Sequence, residues 1–293
     1  SASYRQSRDN PQVTMNIARK LYYALSPVGR RRVRRLVYWP YDTYMSLTRR
    51  RDPMVPPKGK IFIGSGDFVA QGRHIAAMLT DLTGMKPDMA VLDVGCGIGR
   101  AAVALTSVLS DKGRYEGFDI VRDGIDWCRE RITPRHPNFR FTHVDLRNDL
   151  YNLSTEAEAA DFSFPYPDGS FDRVLLTSVF THMMPDDMCN YLNEIHRVLR
   201  PGGVCLATYF VIDGEALRQM EAGQAYFDFP HDFGHYRLLD ANVREADVAF
   251  SFEWLRSAFD NAGLSLSAFH RGTWACAPAA TAPDFQDVII LTR

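Results

Sequence analysis

Three acidic side chains and a glycine-dense loop stand at intervals that suit a nucleotide-like ligand. Asp93 lies in the apolar run Ala90-Val91-Leu92-Asp93-Val94, and Gly95-Cys96-Gly97-Ile98-Gly99 follows at once. Glycine permits the positive φ of such a turn, and its missing Cβ lets a ligand approach the backbone. A helix-compatible segment from Ala101 to Leu109 comes next, so backbone N–H groups and a helix N-terminus converge on one point. Asp119 ends the run Gly117-Phe118-Asp119, where a carboxylate can accept both hydroxyls of a ribose. A helix-capping or turn role for it stays open. Asp145, in Thr142-His143-Val144-Asp145-Leu146, ends a third run, where it can meet an adenine amino group or serve as a surface turn residue.

These acids need parallel strands to line them up, and the pattern supplies them. Strand and helix signals alternate from residue 89 onward. Strands are expected at 89–94, 114–119, 139–144, 171–177 and 204–210, then at 264–270 and 285–291. Helices are expected at about 98–110, 123–132, 185–199 and 252–262, with one before the first strand at 65–82. Arg200-Pro201-Gly202-Gly203 ends a helix and turns the chain into the fifth strand. The alternation predicts an α/β fold with a parallel sheet covered on both faces.

Together the motifs resemble the class I S-adenosylmethionine-dependent methyltransferases. Val91 to Gly99 is similar to the family's first motif, and Glu116-Gly117-Phe118-Asp119 to its second. Phe164-Pro165-Tyr166-Pro167-Asp168-Gly169-Ser170-Phe171-Asp172-Arg173-Val174 resembles the approach to its fourth strand. Tyr191 to Gly203 resembles the helix and turn before its fifth. The likeness covers about residues 60–293. It implies a Rossmann-like, mostly parallel seven-stranded sheet with the last strand antiparallel, and S-adenosyl-L-methionine as cofactor. It also implies cofactor contacts from Asp93, Gly95, Cys96, Gly97, Gly99, Asp119, Ile120, Asp145, Leu146, Thr177 and Ser178.

Methyl transfer from a sulfonium donor asks the protein mainly to align a nucleophile, and an alcohol nucleophile also needs a base. His182, in Thr181-His182-Met183, lies where small-molecule O-methyltransferases of this fold carry a histidine, so the resemblance makes it the expected catalytic base. A positioning or structural histidine is the alternative. Thr177-Ser178-Val179-Phe180 lacks the Asp/Asn-Pro-Pro-aromatic motif of amino-directed nucleic-acid enzymes, which argues against adenine or cytosine amino groups as acceptors. The aromatic stretch 226–237 and Trp274 supply candidate substrate contacts, His231, His235, Tyr236 and Trp274. Packing of these aromatics into a core is the competing reading. His231, Asp232 and His235 lack a fourth ligand at clear spacing, so no metal site is expected.

The net charge of −1 is unevenly spread. Residues 1–60 carry +11 and the rest −12, which divides the chain into a basic helical N-terminal extension, 1–60, and a methyltransferase domain, 61–293. Helices are expected at 12–25 and 28–48, broken near Ser26-Pro27 and Pro40. The arginines at 30–35 and 49–51 fit a solvated cover over the cofactor, an anionic membrane surface contacted through residues 30–51, or nucleic acid, the least favoured. The five cysteines are scattered, no apolar run reaches the roughly 18–20 residues of a membrane span, and no signal-peptide pattern opens the sequence. A cytoplasmic protein, peripheral at the inner membrane face if the basic arm binds lipid, is expected. The functional expectation is O-methylation of a small molecule or a lipid-linked glycan hydroxyl. The competing readings are an NAD-dependent oxidoreductase, which the glycine spacing opposes, and a non-catalytic membrane- or RNA-associated module that binds S-adenosylmethionine.

Overall fold

The computed structural model describes residues 27–62, 66–148, 155, 157–241 and 243–293. The helix expected at 12–25 lies outside them. The chain divides into two compact units, one of Ser1–Arg49 with Pro57–Phe62 and one of Arg50–Pro56 with Ile63–Arg293.

Among the described residues, the smaller unit holds the helix α1 (Pro27–Leu47) and a short 3-10 turn, Lys58–Lys60. The break expected at Pro40 does not occur, and the helix runs through it. The reason is tertiary. Residues on both sides of the proline are fixed to the turn: Asp42 accepts from the Lys58 and Gly59 amides at 2.8 and 2.9 Å, and Arg34 Nε donates to the Lys58 carbonyl. Those bonds offset the amide that a proline removes from a helix interior.

The larger unit opens with α2 (Phe68–Thr83), capped by Asp67, whose side chain accepts from the Ala70 amide, and ended by Gly84 in the left-handed region. Then come β1 (Ala90–Val94), α3 (Arg100–Leu105), β2 (Arg114–Asp119), α4 (Arg122–Arg131), β3 (Phe139–His143), β4 (Phe171–Leu176), α5 (Pro185–Val198) and β5 (Leu199–Tyr209). They are followed by β6 (Val211–Ile212), α6 (Gly214–Glu221), β7 (His231–Asp232), β8 (Tyr236–Leu238), β9 (Val248–Ser251), α7 (Phe252–Asn261), β10 (Ser265–His270) and β11 (Asp287–Thr292). The main sheet has the order β10-β11-β5-β4-β1-β2-β3, with β11 antiparallel between β5 and β10. This is the seven-stranded arrangement that the motifs imply. Every residue of β1 is buried, as a central parallel strand covered on both faces requires.

One core cluster joins Leu92, Val94, Val174 and Leu176 of the sheet to Leu192 and Ile195 of α5 and Leu255 and Phe259 of α7. The loop before β4 is fastened to α5 by Arg197, which donates to the Phe164 and Tyr166 carbonyls and pairs with Asp168 and Glu194. Two boundaries differ from expectation. The helix expected over 98–110 is regular only to Leu105. Strand β5 begins at Leu199, before the Arg200-Pro201-Gly202-Gly203 turn. That turn is absorbed into the sheet as an irregularity because Arg293 takes the Gly202 amide and donates to the Gly203 carbonyl.

A second, four-stranded sheet, β6-β9-β8-β7, was not expected. It inserts between β5 and β10 and encloses its own core, with Phe210, Phe229, Ala249 and Trp274 at its centre.

Candidate active site

The carboxyl ends of β1 and β2 carry the first half of the site. Gly95 (φ +74), Gly97 (φ +59) and Gly99 (φ +82) all hold left-handed backbone. At Gly95 a Cβ would also stand 2.5 Å from Val179 Cγ2, so both conformation and space require glycine there. The loop is drawn onto β2 by the Gly95 and Cys96 amides, which donate to the Phe118 carbonyl at 2.9 and 3.0 Å. Gly117 permits this approach: a Cβ on it would meet Cys96 at 2.9 Å.

Asp119 sits at the junction. One oxygen accepts from the Gly97 amide at 2.8 Å and the other from the Val121 amide at 2.7 Å. Burial pushes its carboxyl up to about 6 against the pull of these amides. Asp93 is buried one strand over and accepts from Tyr115 Oη at 2.5 Å. Burial raises it to about 7, more than the tyrosine bond lowers it, and Asp119 adds like-charge repulsion. Tyr115 is itself stacked on Phe139, which fixes the donor. Ile120 and Leu146 flank the same edge; Leu146 is buried and Asp145 exposed.

The second half lies at the ends of β4 and β5. Ser178 takes a left-handed φ of +57 without being glycine, which costs energy for a residue with a Cβ. Its amide donates to Thr208 Oγ1 at 2.8 Å, and both hydroxyls donate to Gln286 Oε1, at 3.0 and 2.6 Å. Sequence reasoning named Thr177 and Ser178 but missed Thr208 and Gln286. A buried threonine at the end of an apolar strand is the only signal Thr208 gives, and Gln286 gives none.

Val179, which fills the space over Gly95, leads into a 3-10 turn, Phe180–His182. His182 Nδ1 lies 2.9 Å from the Glu245 carbonyl oxygen. A carbonyl only accepts, so in the neutral ring Nδ1 carries the proton and Nε2 is the basic nitrogen. Burial lowers the imidazole below its ordinary value, although bonds to the Glu245 and Ala246 backbone oppose this. The ring is therefore neutral at pH 7.

The candidate substrate residues do not form one group. His231 and His235 are exposed on the second sheet. Tyr236 stacks on Phe233 with centroids 5.0 Å apart, and the His235 ring lies 4.9 Å from Trp254. Strand β9 of that sheet packs against the turn that holds His182. Trp274 is elsewhere. It is wholly buried, its Nε1 donates to Asp287 Oδ2 at 2.7 Å, and Phe210 and Phe229 meet its ring edge-on. A side chain closed on all sides is a packing residue, so the substrate-wall expectation for Trp274 is corrected. Among the described residues no three His, Cys, Asp or Glu side chains converge to hold a metal ion.

Residues 91–203, from β1 through the turn in β5, match the methyltransferase domain family. The chain carries a class I S-adenosylmethionine-dependent methyltransferase domain. Its cofactor is S-adenosylmethionine, and the residues present suit it: a turn that a Cβ would obstruct, beside a buried carboxylate able to accept hydroxyl donors. The fold is shared with the solved PH0226 protein of Pyrococcus horikoshii, at 16% identity and a TM-score of 0.52 over 84% of this chain and 98% of that one. The fatty-acid O-methyltransferase of Mycolicibacterium smegmatis is 34% identical over 136 residues, 46% of this chain and 40% of that protein. The tRNA N(3)-cytidine methyltransferase METTL2 of Gallus gallus is 28% identical over 134 residues, 43% of this chain and 31% of that one. The chain thus spans under half the length of these curated relatives.

Proposed function

We propose that the methyltransferase domain transfers a methyl group to an oxygen of a small-molecule acceptor. His182 acts as the general base in this reading. The observation that carries it is the state of that imidazole: neutral, fixed through Nδ1 on a backbone carbonyl, and one turn from Val179, which touches the glycine loop. A base held in one tautomer at the edge of a cofactor loop can accept a hydroxyl proton as oxygen attacks.

S-adenosylmethionine supplies an activated methyl group, so the remaining work is alignment and proton removal. Asp119 would accept the ribose hydroxyls. Gly95, Cys96, Gly97 and Gly99 would line the methionine and ribose, with Asp93 beneath them. Ile120 and Leu146 would flank the adenine, with Asp145 at its amino group, and Thr177 and Ser178 would close the methyl end. The exposed His231 and His235 and the half-buried Tyr236 would contact the acceptor, on the side where β9 meets the His182 turn.

The similarity to a fatty-acid O-methyltransferase favours oxygen in a small, apolar acceptor. A lipid-linked glycan hydroxyl is the finer form of the proposal, and it draws on the arginine-rich helix α1.

The test uses labelled S-adenosylmethionine with the protein and fractionated extract. Label in an alkali-stable ether or an ester of a small molecule or lipid supports the proposal. Label on RNA nitrogen overturns the oxygen assignment, and failure to bind S-adenosylhomocysteine overturns the cofactor assignments.

A further inference from the structure

Helix α1 is amphipathic in an unusual sense: its apolar side faces solvent. At 3.6 residues per turn, Trp39, Leu36, Leu47, Pro40, Val33, Tyr44 and Val37 occupy an arc of roughly 160°. Leu36, Val37, Trp39 and Leu47 are 76, 67, 67 and 81% exposed. The opposite side of the helix is the one that is satisfied. Asp42, the only acid in α1, faces the 58–60 turn and accepts from its amides, and Lys58 Nζ lies 4.5 Å over the Tyr41 ring. Arginine borders the apolar arc on both sides, with Arg30 along one margin and Arg35 along the other, whereas Arg31 and Arg34 lie toward the Asp42 side. Arg32 lies within the arc, and Arg49 to Arg51 follow its end.

An apolar stripe of this size exposed to water is unfavourable unless something covers it. The charge on its margins selects the partner. Cationic margins around leucine, valine and tryptophan match a bilayer surface with anionic headgroups, where the stripe enters the acyl boundary and the arginines meet phosphate. A nucleic acid would use the arginines and leave the apolar stripe in water. No helix among the described residues is long and apolar enough to cross a membrane, so the contact is in the plane of the surface.

We infer that α1 is an interfacial membrane helix that binds anionic lipid through Leu36, Val37, Trp39 and Leu47 with the arginines at its margins. This inference stands apart from methyl transfer, and either can fail alone.

The test is flotation of the protein with vesicles of phosphatidylcholine alone and of phosphatidylcholine with one-third phosphatidylglycerol, without methyl donor. Binding is expected on the anionic vesicles only, falling as salt screens the arginines. Trp39 fluorescence should shift to the blue, and Trp39→Phe should abolish the shift while keeping most of the binding. Arg32→Gln with Arg49→Gln should weaken partition by about twenty-five-fold, at about fivefold per arginine. Leu36→Ser with Leu47→Ser should weaken it about tenfold or more for each leucine. S-adenosylhomocysteine binding, measured on each variant, shows that the methyltransferase domain is folded. No binding to anionic vesicles at low ionic strength overturns the inference, and so does binding indifferent to the leucine pair. Tighter binding to a mixed-sequence RNA that the leucine pair leaves intact overturns it in favour of nucleic acid.

Discussion

The two halves of the site are built from different materials. At β1 and β2 a carboxylate meets main-chain amides, Asp119 on Gly97 and Val121, inside a loop whose backbone angles only glycine holds easily. At β4 and β5 side chains meet side chains, with Ser178 and Thr208 both on Gln286, and an inserted sheet carries exposed histidines and a half-buried tyrosine. Main-chain geometry suits a ligand that never changes, whereas side-chain bonds can be exchanged one at a time to suit a new acceptor. The first half is a fixture and the second is adjustable.

That contrast can be broken by substitution. His182→Ala should lower kcat about 10²- to 10⁴-fold, the range for a lost general base, with S-adenosylhomocysteine affinity unchanged. Equal turnover in the two proteins would remove His182 from the reaction. Asp119→Ala should act on the fixture instead. It leaves two buried amides without an acceptor, at about 1–3 kcal/mol each, so calorimetry should show a fall in stability together with lost binding of S-adenosylhomocysteine. Retention of both would mean that the loop does not depend on this carboxylate.

The acids of the fixture also set a pH dependence. Asp93 and Asp119 have folded values of about 7 and about 6, above their usual 3.8. Groups raised on folding stabilise the protein fully at low pH and lose that contribution as pH rises through the folded values. The contribution of these two acids should therefore fall between about pH 4, where the unfolded carboxyls ionise, and about pH 7, and stay level above that, and Asp93→Asn should flatten the fall. A melting temperature that rises relative to that of Asp93→Asn across the interval would contradict the assignment. Gln286→Leu should have the smallest effect. It removes the acceptor shared by two hydroxyls, which costs about 1–2 kcal/mol, and should raise KM for the acceptor while leaving S-adenosylhomocysteine affinity alone. A change confined to cofactor affinity would place Gln286 in the wrong half.

The same division decides what can be read from sequence. Main-chain devices leave marks in composition: glycines at fixed spacing, an acid at a strand end, an apolar run of five or six residues. These mark β1, β2 and the Asp119 junction, and β2 occupies the span expected of it, Arg114–Asp119. The inserted sheet rests on strands of two to four residues, β6 to β9, at or below the shortest window in which alternation can be recognised. Aromatic content near residue 230 signalled something, but composition does not separate a wall from a core. Trp274 went to the core, His235 stayed at the surface, and Tyr236 is half-buried between the two. Gln286 acquires its role from residues 78 and 108 positions away, and no local pattern carries that. Pro40 is the reverse case, where the local rule was clear and contacts on either side overrode it.

The position of β11 has a consequence for the order in which the molecule can be assembled. It is wedged between β5 and β10, and its first residue, Asp287, takes the Val211 and Gly272 amides and the Trp274 indole. Until residues 287–292 have been synthesised, β5 has an open edge and the inserted sheet lacks its anchor. During translation the cofactor half can close while the acceptor half waits. Under the proposed function, a nascent chain would hold its methyl donor before it has anywhere to deliver the methyl group.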